Sequence, residues 1–237
     1  MAFKTLAMAM KKRTDFLVIG SGIAGLTFAL KASRYGKVAV VTKSTLDDSN
    51  TKYAQGGIAA VFREPDNFEK HIRDTLIAGD GVCNEEVVRL VVQEAPARIQ
   101  DLIDLGVPFD KKKDGTYDLA KEGGHTEHRI LHTKDKTGEV IEETLIDKVK
   151  SNPNIEIFEH HFAIEILTQH HLGIEVKRNY PDIQCYGAYI ADLADQKVYT
   201  FLSKITVIAT GGLGNVYQTT TNPEIATGDG VAMVYRA

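Results

Sequence analysis

The chain has 237 residues, 43% apolar and 25% charged, with a formal net charge of −4, the balance of a folded globular protein with one large domain or two small ones. Its basic runs, Lys11-Lys12-Arg13 and Lys111-Lys112-Lys113, are too short for a nucleic-acid footprint and read as solvated loop, and no apolar run approaches the ~18 residues of a membrane span. Only Cys83 and Cys185 occur, without CxxC spacing, which excludes a disulfide scaffold or cysteine zinc site and points to reduced thiols in a cytoplasmic protein.

Residues 1–13 place a few apolar residues ahead of the basic cluster, the reverse of a secretory signal, and read as a flexible leader. Phe16-Leu17-Val18-Ile19 is short and continuously apolar, the pattern of a buried strand. A helix is expected from Ile23 to Tyr35, stopped by Gly36, and Val38-Ala39-Val40-Val41 forms the second buried strand. Strand, glycine turn, helix and strand within about thirty residues make a βαβ unit with a right-handed crossover.

A polar loop from Ser44 to Pro65 leads to two amphipathic helices, Phe68 to Ala78 and Glu85 to Leu105, the second with Asn84 as N-cap and Gly106 as its stop. Asp114-Gly115 signals a tight turn. Val140 to Val149 reads as a helix and Ile155 to Phe158 as a strand. Short alternating segments around 164–166, 173–176, 187–190 and 198–201 read as an antiparallel meander inserted in the α/β domain, after which Thr206 to Thr210 rejoins the parallel sheet. The chain stops at Tyr235-Arg236-Ala237 inside an apolar pattern with no stop signal, so an N-terminal fragment of something longer is expected.

Gly20-Ser21-Gly22-Ile23-Ala24-Gly25 is GxGxxG between a strand and a helix, the context that gives this pattern meaning. The first glycine permits the turn, the second lets a pyrophosphate approach the backbone, and the third packs helix on strand; the helix N-terminus then offers N–H groups and positive dipole to the anion. Which dinucleotide is less settled. The acid expected about twenty residues on to hold an NAD ribose is replaced by Thr42-Lys43-Ser44, and Lys43 suits either the 2′-phosphate of NADP or the adenosine half of a flavin nucleotide.

Five motifs in order resemble the flavoproteins related to succinate dehydrogenase and fumarate reductase: Gly20 to Gly25, Tyr53 to Ala60, Glu122 to His132, Ala209 to Gly212, and Asn222-Pro223 before Thr227 to Gly230. The resemblance covers Thr14 to Ala237. It implies a Rossmann-like FAD-binding domain over 14–237, parallel sheet with the inserted meander, truncated before a capping domain that follows in the family. Asn50, Thr51, Lys52, Tyr53, Ala54, Gln55, Gly56 and Gly57 correspond to the loop around the flavin, where the glycine pair lets backbone approach a flat ring. Asn50 stands where members with covalent flavin carry histidine, which implies noncovalent FAD. Thr210 and Gly211 are expected as a second FAD contact, Ala163 as an adenine contact through its backbone, and Asp229 as the acid near the ribityl chain or a helix N-cap.

His125, His128 and His132 share a helical spacing that a metal site also shows, but in this family context no metal is expected. His125 is placed near flavin and substrate, and Arg129 as a structural or carboxylate-binding cation. Glu122 discriminates among substrates, because relatives using succinate or fumarate tend to carry an aromatic residue there. An unpaired anion in a dicarboxylate site is costly unless the substrate brings a cation, so an amino diacid such as aspartate is expected; the resemblance then implies oxidation of L-aspartate to iminoaspartate on the route to quinolinate and NAD. Oxygen or fumarate would be the acceptor and quinolinate synthase a partner. The competing readings are a soluble fumarate reductase or succinate dehydrogenase flavoprotein and a non-catalytic NADP-binding module. The resemblance places further catalytic groups after Ala237, so this length alone is expected not to turn over.

Overall fold

A computed structural model describes residues 11–177, 179 and 181–237. The leader expected over 1–13 lies outside the described residues up to position 10, and its last three residues belong to a strand. In chain order the elements are β1 (Lys11–Ile19), α1 (Ile23–Ala32), β2 (Val38–Val41), β3 (Ile58–Ala59), α2 (Phe68–Ala78), α3 (Glu85–Leu105), β4 (Leu119–Ala120) and β5 (Ile130–Leu131). There follow α4 (Thr137–Lys150), β6 (Ile155–Phe158), β7 (His161–Thr168), β8 (Cys185–Asp192), β9 (Lys197–Ile208) and α5 (Asp229–Arg236). The described residues fall into two compact units, one holding those of Met1–Thr51 and Leu145–Ala237, the other Lys52–Thr144.

In the first unit a six-stranded sheet runs β6-β2-β1-β9-β8-β7. β1 is parallel to β2 and β9, and β2 to β6; β8 is antiparallel to both its neighbours. All four residues of β2 are buried, as a strand covered on both faces requires. Leu17, Ile19, Ala39 and Val41 point to one face, where they join Phe158, Ile190, Phe201 and Met233 of α5 in the main core cluster. By alternation Val18, Val38 and Val40 take the other, against α1, which buries Leu26 and Ala29.

The expected antiparallel meander is present, and it continues the parallel sheet beyond β9 through β8 and β7. β9 runs unbroken for 12 residues, although Ser203 and Lys204 interrupt its apolar pattern, because the β1 ladder holds one side of it from Thr200 to Ile208. The same ladder draws Lys11, Lys12 and Arg13 into β1 opposite Thr200, Phe201 and Leu202, so this basic run is strand rather than leader. Residues 173–176 form no strand; Gly173, left-handed at φ +80°, ends a 3₁₀ turn over Gln169–Leu172. α1 stops at Ala32, short of Tyr35, where the Ser33 hydroxyl bonds back to the Leu30 carbonyl at 2.8 Å.

The second unit carries α2 and α3, each capped by the side chain expected from its type: Asn67 accepts from the Lys70 N–H and Asn84 from the Val87 N–H. Gly106 closes α3 in the left-handed conformation. The Asp114-Gly115 turn lies within a hairpin closed by the Lys111–Tyr117 bridge. Beside these is a small antiparallel sheet, β3-β5-β4, whose two-residue strands carry no periodicity to read. No helix among the described residues is long and apolar enough to cross a membrane.

Candidate cofactor cavity and substrate loop

At the carboxyl ends of β1, β2 and β9 the first unit holds a cavity of about 680 Å³. β1 lies between β2, reached through α1, and β9, reached through the rest of the chain, and a crevice at such a point is where α/β sheets bind ligands. Of the residues expected from sequence, Gly20, Ser21, Gly22, Ile23, Ala24, Lys43, Asn50, Thr51, Ala163, Thr210, Gly211 and Asp229 line it.

The three glycines divide their work as the motif requires. Gly20 has φ +113°, and a Cβ there would sit 2.2 Å from the Ala209 carbonyl oxygen. A Cβ on Gly25 would lie 2.1 Å from the Gly20 carbonyl oxygen, so its absence permits the helix to rest on the strand. Gly22 differs: its Cβ would meet nothing closer than Thr51 Oγ1 at 3.4 Å, ordinary contact. Internal packing thus leaves Gly22 free to be larger, and the need for glycine comes from the cavity side. The N-cap of α1, Gly22, has no side chain and the first turn carries no acid, so apart from the Ile23 N–H its positive end is left for an anion. The Ile23 N–H donates to Thr51 Oγ1 at 3.0 Å and Ser21 Oγ to Thr42 Oγ1 at 3.2 Å.

Lys43 Nζ contacts Asp229 Oδ2 and Thr227 Oγ1, each at 2.5 Å. This arrangement bears on two expectations. Asp229 is the first residue of α5 rather than its N-cap, which is Gly228 at φ +77°, because only glycine enters that left-handed position easily. A carboxylate on Lys43 also offsets its charge and would repel a 2′-phosphate, which removes the main support for NADP. Sequence reasoning missed Asp48, Ser49, His161 and Phe162 of the lining. Their only signal was adjacency to Asn50 and Ala163.

Lys52, Tyr53, Ala54, Gln55, Gly56 and Gly57 belong to the second unit, with Tyr53 through Gly57 exposed. Gly57 has an internal reason to be glycine, since a Cβ at its φ of +145° would sit 2.4 Å from the Leu131 carbonyl oxygen. At Gly56 the nearest atom to an added Cβ is Glu122 Oε1, at 3.3 Å. Glu122 is exposed and stands at the start of a turn in which the His125 N–H donates to its carbonyl at 3.1 Å and Gly124 has φ +87°. Among the described residues no hydrogen bond or ion pair engages its carboxylate.

Arg129 has the surroundings of a structural cation. It is completely buried, with Nε and one terminal nitrogen on Asp66 at 3.0 and 2.8 Å and the other on Asp74 at 2.6 Å. Both carboxylates are themselves buried, so this forked pairing satisfies three charges away from water. Burial opposes the Arg129 charge, but Asp66 and Asp74 outweigh it and raise its pKa. Burial likewise pushes the Asp74 carboxyl up, while hydrogen bonds from the Thr126 N–H, the Arg129 guanidinium and the Thr126 hydroxyl together hold it below the usual carboxylate range. Asp66 and Asp74 were not read from sequence, where eight and fifty-five positions separate successive members of the cluster and leave no local pattern.

His125 is half-buried, its ring edge-on to His71 at 5.9 Å and 89°. His132 instead bonds Asp110, Nδ1 to Oδ2 at 3.1 Å, and among the described residues no group of three or more His, Cys, Asp or Glu gathers in a way that could hold a metal.

The profile of a family described as FAD binding domain matches residues 15–237. A protein named L-aspartate oxidase, chloroplastic, of Oryza sativa subsp. japonica is 48% identical over 226 residues, 95% of this chain and 34% of that protein. L-aspartate oxidase of Vibrio cholerae is 45% identical over 228 residues, 94% and 42% of the two chains. This chain therefore spans between a third and a half of the length of these relatives. Among solved structures, that of an E. coli quinol fumarate reductase variant superposes with a TM-score of 0.85 at 31% identity, covering 96% of this chain and 37% of that one. Mycobacterium smegmatis Sdh1 in complex with UQ1 gives 0.84 at 32%, covering 96% and 38%.

Proposed function

This chain belongs to the FAD binding domain family and its cofactor is FAD, and from that premise we propose that it forms part of an enzyme that oxidises L-aspartate to iminoaspartate. The cavity residues fit the cofactor: a glycine turn whose middle glycine has no packing reason of its own and a helix end with no acid in its first turn suit a pyrophosphate. Gly20 to Ala24 would receive that group, Lys43, Ala163 and Asp229 its adenosine and ribityl portions, and Thr210 and Gly211 the opposite wall. Lys52 to Gly57 remain assigned to the flavin ring. Bound there, FAD supplies the two-electron chemistry, taking electrons from the substrate and passing them to oxygen or fumarate. Asn50 has no nucleophile with which to bond the ring, so the cofactor is held noncovalently.

The observation that carries the substrate reading is Glu122, a carboxylate with no cation of its own among the described residues. A dianion such as succinate is repelled by it, whereas the α-ammonium of aspartate supplies a charge-assisted partner and fixes the Cα–H direction. His125, in the same turn, is assigned to a substrate carboxylate. The two relatives named L-aspartate oxidase support this choice. Iminoaspartate hydrolyses in water, which favours its capture by quinolinate synthase in the making of quinolinate and NAD. We place the protein in the cytoplasm on its two free thiols, Cys83 and Cys185.

A second reading, a fumarate reductase or succinate dehydrogenase flavoprotein, is favoured by the solved structures. One experiment separates the two. The whole protein containing this chain, purified with its flavin, is mixed anaerobically with L-aspartate or with succinate while absorbance near ~450 nm is followed, the flavin being the chromophore. Bleaching by aspartate is expected; equal or faster bleaching by succinate overturns the assignment.

A further inference from the structure

The turn that carries Glu122 is held from its far end. Gly123 and Gly124 follow the glutamate, Gly124 at φ +87°, and an added Cβ on either would meet no atom of the described residues within 4 Å. Two glycines without neighbours leave that backbone free to swing, and within the turn the His125 N–H donates to the Glu122 carbonyl at 3.1 Å. A carboxylate that must meet one cation in one place needs more support, because loop freedom lost on binding is subtracted from affinity.

That support comes at Thr126, the first residue past the turn. Thr126 is exposed, yet each of its polar groups is engaged. Its N–H and its hydroxyl both donate to Asp74 Oδ2, at 2.8 and 2.9 Å, and its carbonyl accepts from Lys121 Nζ at 2.8 Å. Asp74 is a firm anchor: it is buried on α2, and the same oxygen takes Arg129 at 2.6 Å. Bonds to an ionised carboxylate are roughly twice as strong as neutral ones. Lys121 immediately precedes Glu122, so its bond to Thr126 draws the two ends of the turn together across the glycines, and Asp74 ties the joined ends to the helix. One residue on, Glu127 pairs at 2.6 Å with Lys70, which shares the face of α2 with Asp74. His125 has support of its own in the edge-on packing against His71.

We propose that Thr126 is a positioning residue for substrate choice: anchored on Asp74, it holds the turn from Lys121 to Thr126 so that the Glu122 carboxylate stands where an ammonium-bearing substrate meets it. The proposal rests on the reading that the substrate is an amino diacid. In this role Thr126 touches no substrate and acts through Glu122. Its loss therefore shows in the binding of aspartate, costs fumarate little, and has nothing left to act on once the Glu122 side chain is gone.

The test uses the whole flavin-loaded protein and the variants Thr126→Val, which keeps the shape and the N–H but deletes the hydroxyl, and Thr126→Ser, which keeps the hydroxyl. KM and kcat are measured for L-aspartate oxidation and for fumarate reduction, with Glu122 present and in a Glu122→Ala background. T126V is expected to raise KM for aspartate about five- to tenfold, with kcat and the KM for fumarate changed less than about threefold, while T126S stays within about twofold of wild type. In the E122A background T126V is expected to change KM for aspartate less than about twofold, since residues that act as a unit do not add. An unaltered KM for aspartate in T126V overturns the proposal, as do an equal rise of both KM values and a full effect that persists in E122A. Should T126V fold poorly, T126A deletes the hydroxyl without placing an apolar branch beside Asp74 and is expected to show the same split between substrates; an equal effect on both again overturns it. A wild-type protein that reduces fumarate but does not oxidise aspartate sinks the amino-diacid reading itself, whereas an active wild type with an unaffected T126V sinks only the role of Thr126.

Discussion

Glu122 and Arg129 sit seven positions apart in one loop and do opposite things. Glu122 is exposed, lies against a glycine and has no internal partner among the described residues; Arg129 is wholly buried and divides its guanidinium between two aspartates. Substitution should separate them. Glu122→Gln is expected to leave the melting temperature unchanged but lower kcat/KM for aspartate by about ten- to a hundredfold, the worth of a hydrogen bond to a charged group. Fumarate reduction, with no ammonium to lose, should fall far less, and equal losses would detach Glu122 from the amine. Arg129→Met leaves two buried carboxylates facing each other, so a loss of about 3–5 kcal/mol in urea unfolding is expected. A loss below about 1 kcal/mol would mean the cluster is solvated.

At the scale of elements the βαβ turn makes a contrast of the same kind. Gly25→Ala pushes a methyl to within 2.1 Å of the Gly20 carbonyl, an overpacking expected to cost about 1–3 kcal/mol in the flavin-free protein. Gly22→Ala meets only ordinary contacts within the fold, so the flavin-free protein should melt as wild type while FAD binding, followed by fluorescence, is lost. This turn was legible in the sequence because strand, glycines and helix are consecutive and each obeys a local rule, as α2 and α3 do through Asn67, Asn84 and Gly106. The β3-β5-β4 sheet was not, since a two-residue strand has no period. Neither was the pairing of Arg129 with Asp66 and Asp74, nor that of Lys43 with Asp229, because only the folded chain brings these charges together. The buried cluster also sets a response to acid. Asp74 is held below its ordinary 3.8 and His71 below its ordinary 6.5, so the unfolded chain binds protons more readily at both sites and stability falls with pH. The His71 share begins to go below pH 6.5, and the Asp74 share, intact above 3.8, is lost as pH falls through its lower folded value. Urea midpoints taken across this range should fall in that order, and Asp74→Asn should abolish the lower step.

For the molecule as a whole, the question is how firmly the first unit keeps its cofactor. The cavity lining includes Asn50, where the resemblance places the histidine of members with covalent flavin, and its Lys43 is engaged by Asp229 and Thr227. In the proposed binding mode, retention depends on the glycine turn, the α1 terminus and shape, all of them reversible contacts. A ligand that binds only the folded state stabilises it by RT ln(1 + [L]/Kd), about 2.7 kcal/mol at a hundredfold excess over Kd. Melting of the flavin-free protein should therefore shift upward with the logarithm of added FAD, and acid precipitation of the loaded protein should leave the yellow colour in the supernatant. Colour that stays with the pellet would mean a covalent bond, which Asn50 cannot make, and would require a different side chain of this cavity or of the 52–57 loop to supply the attachment.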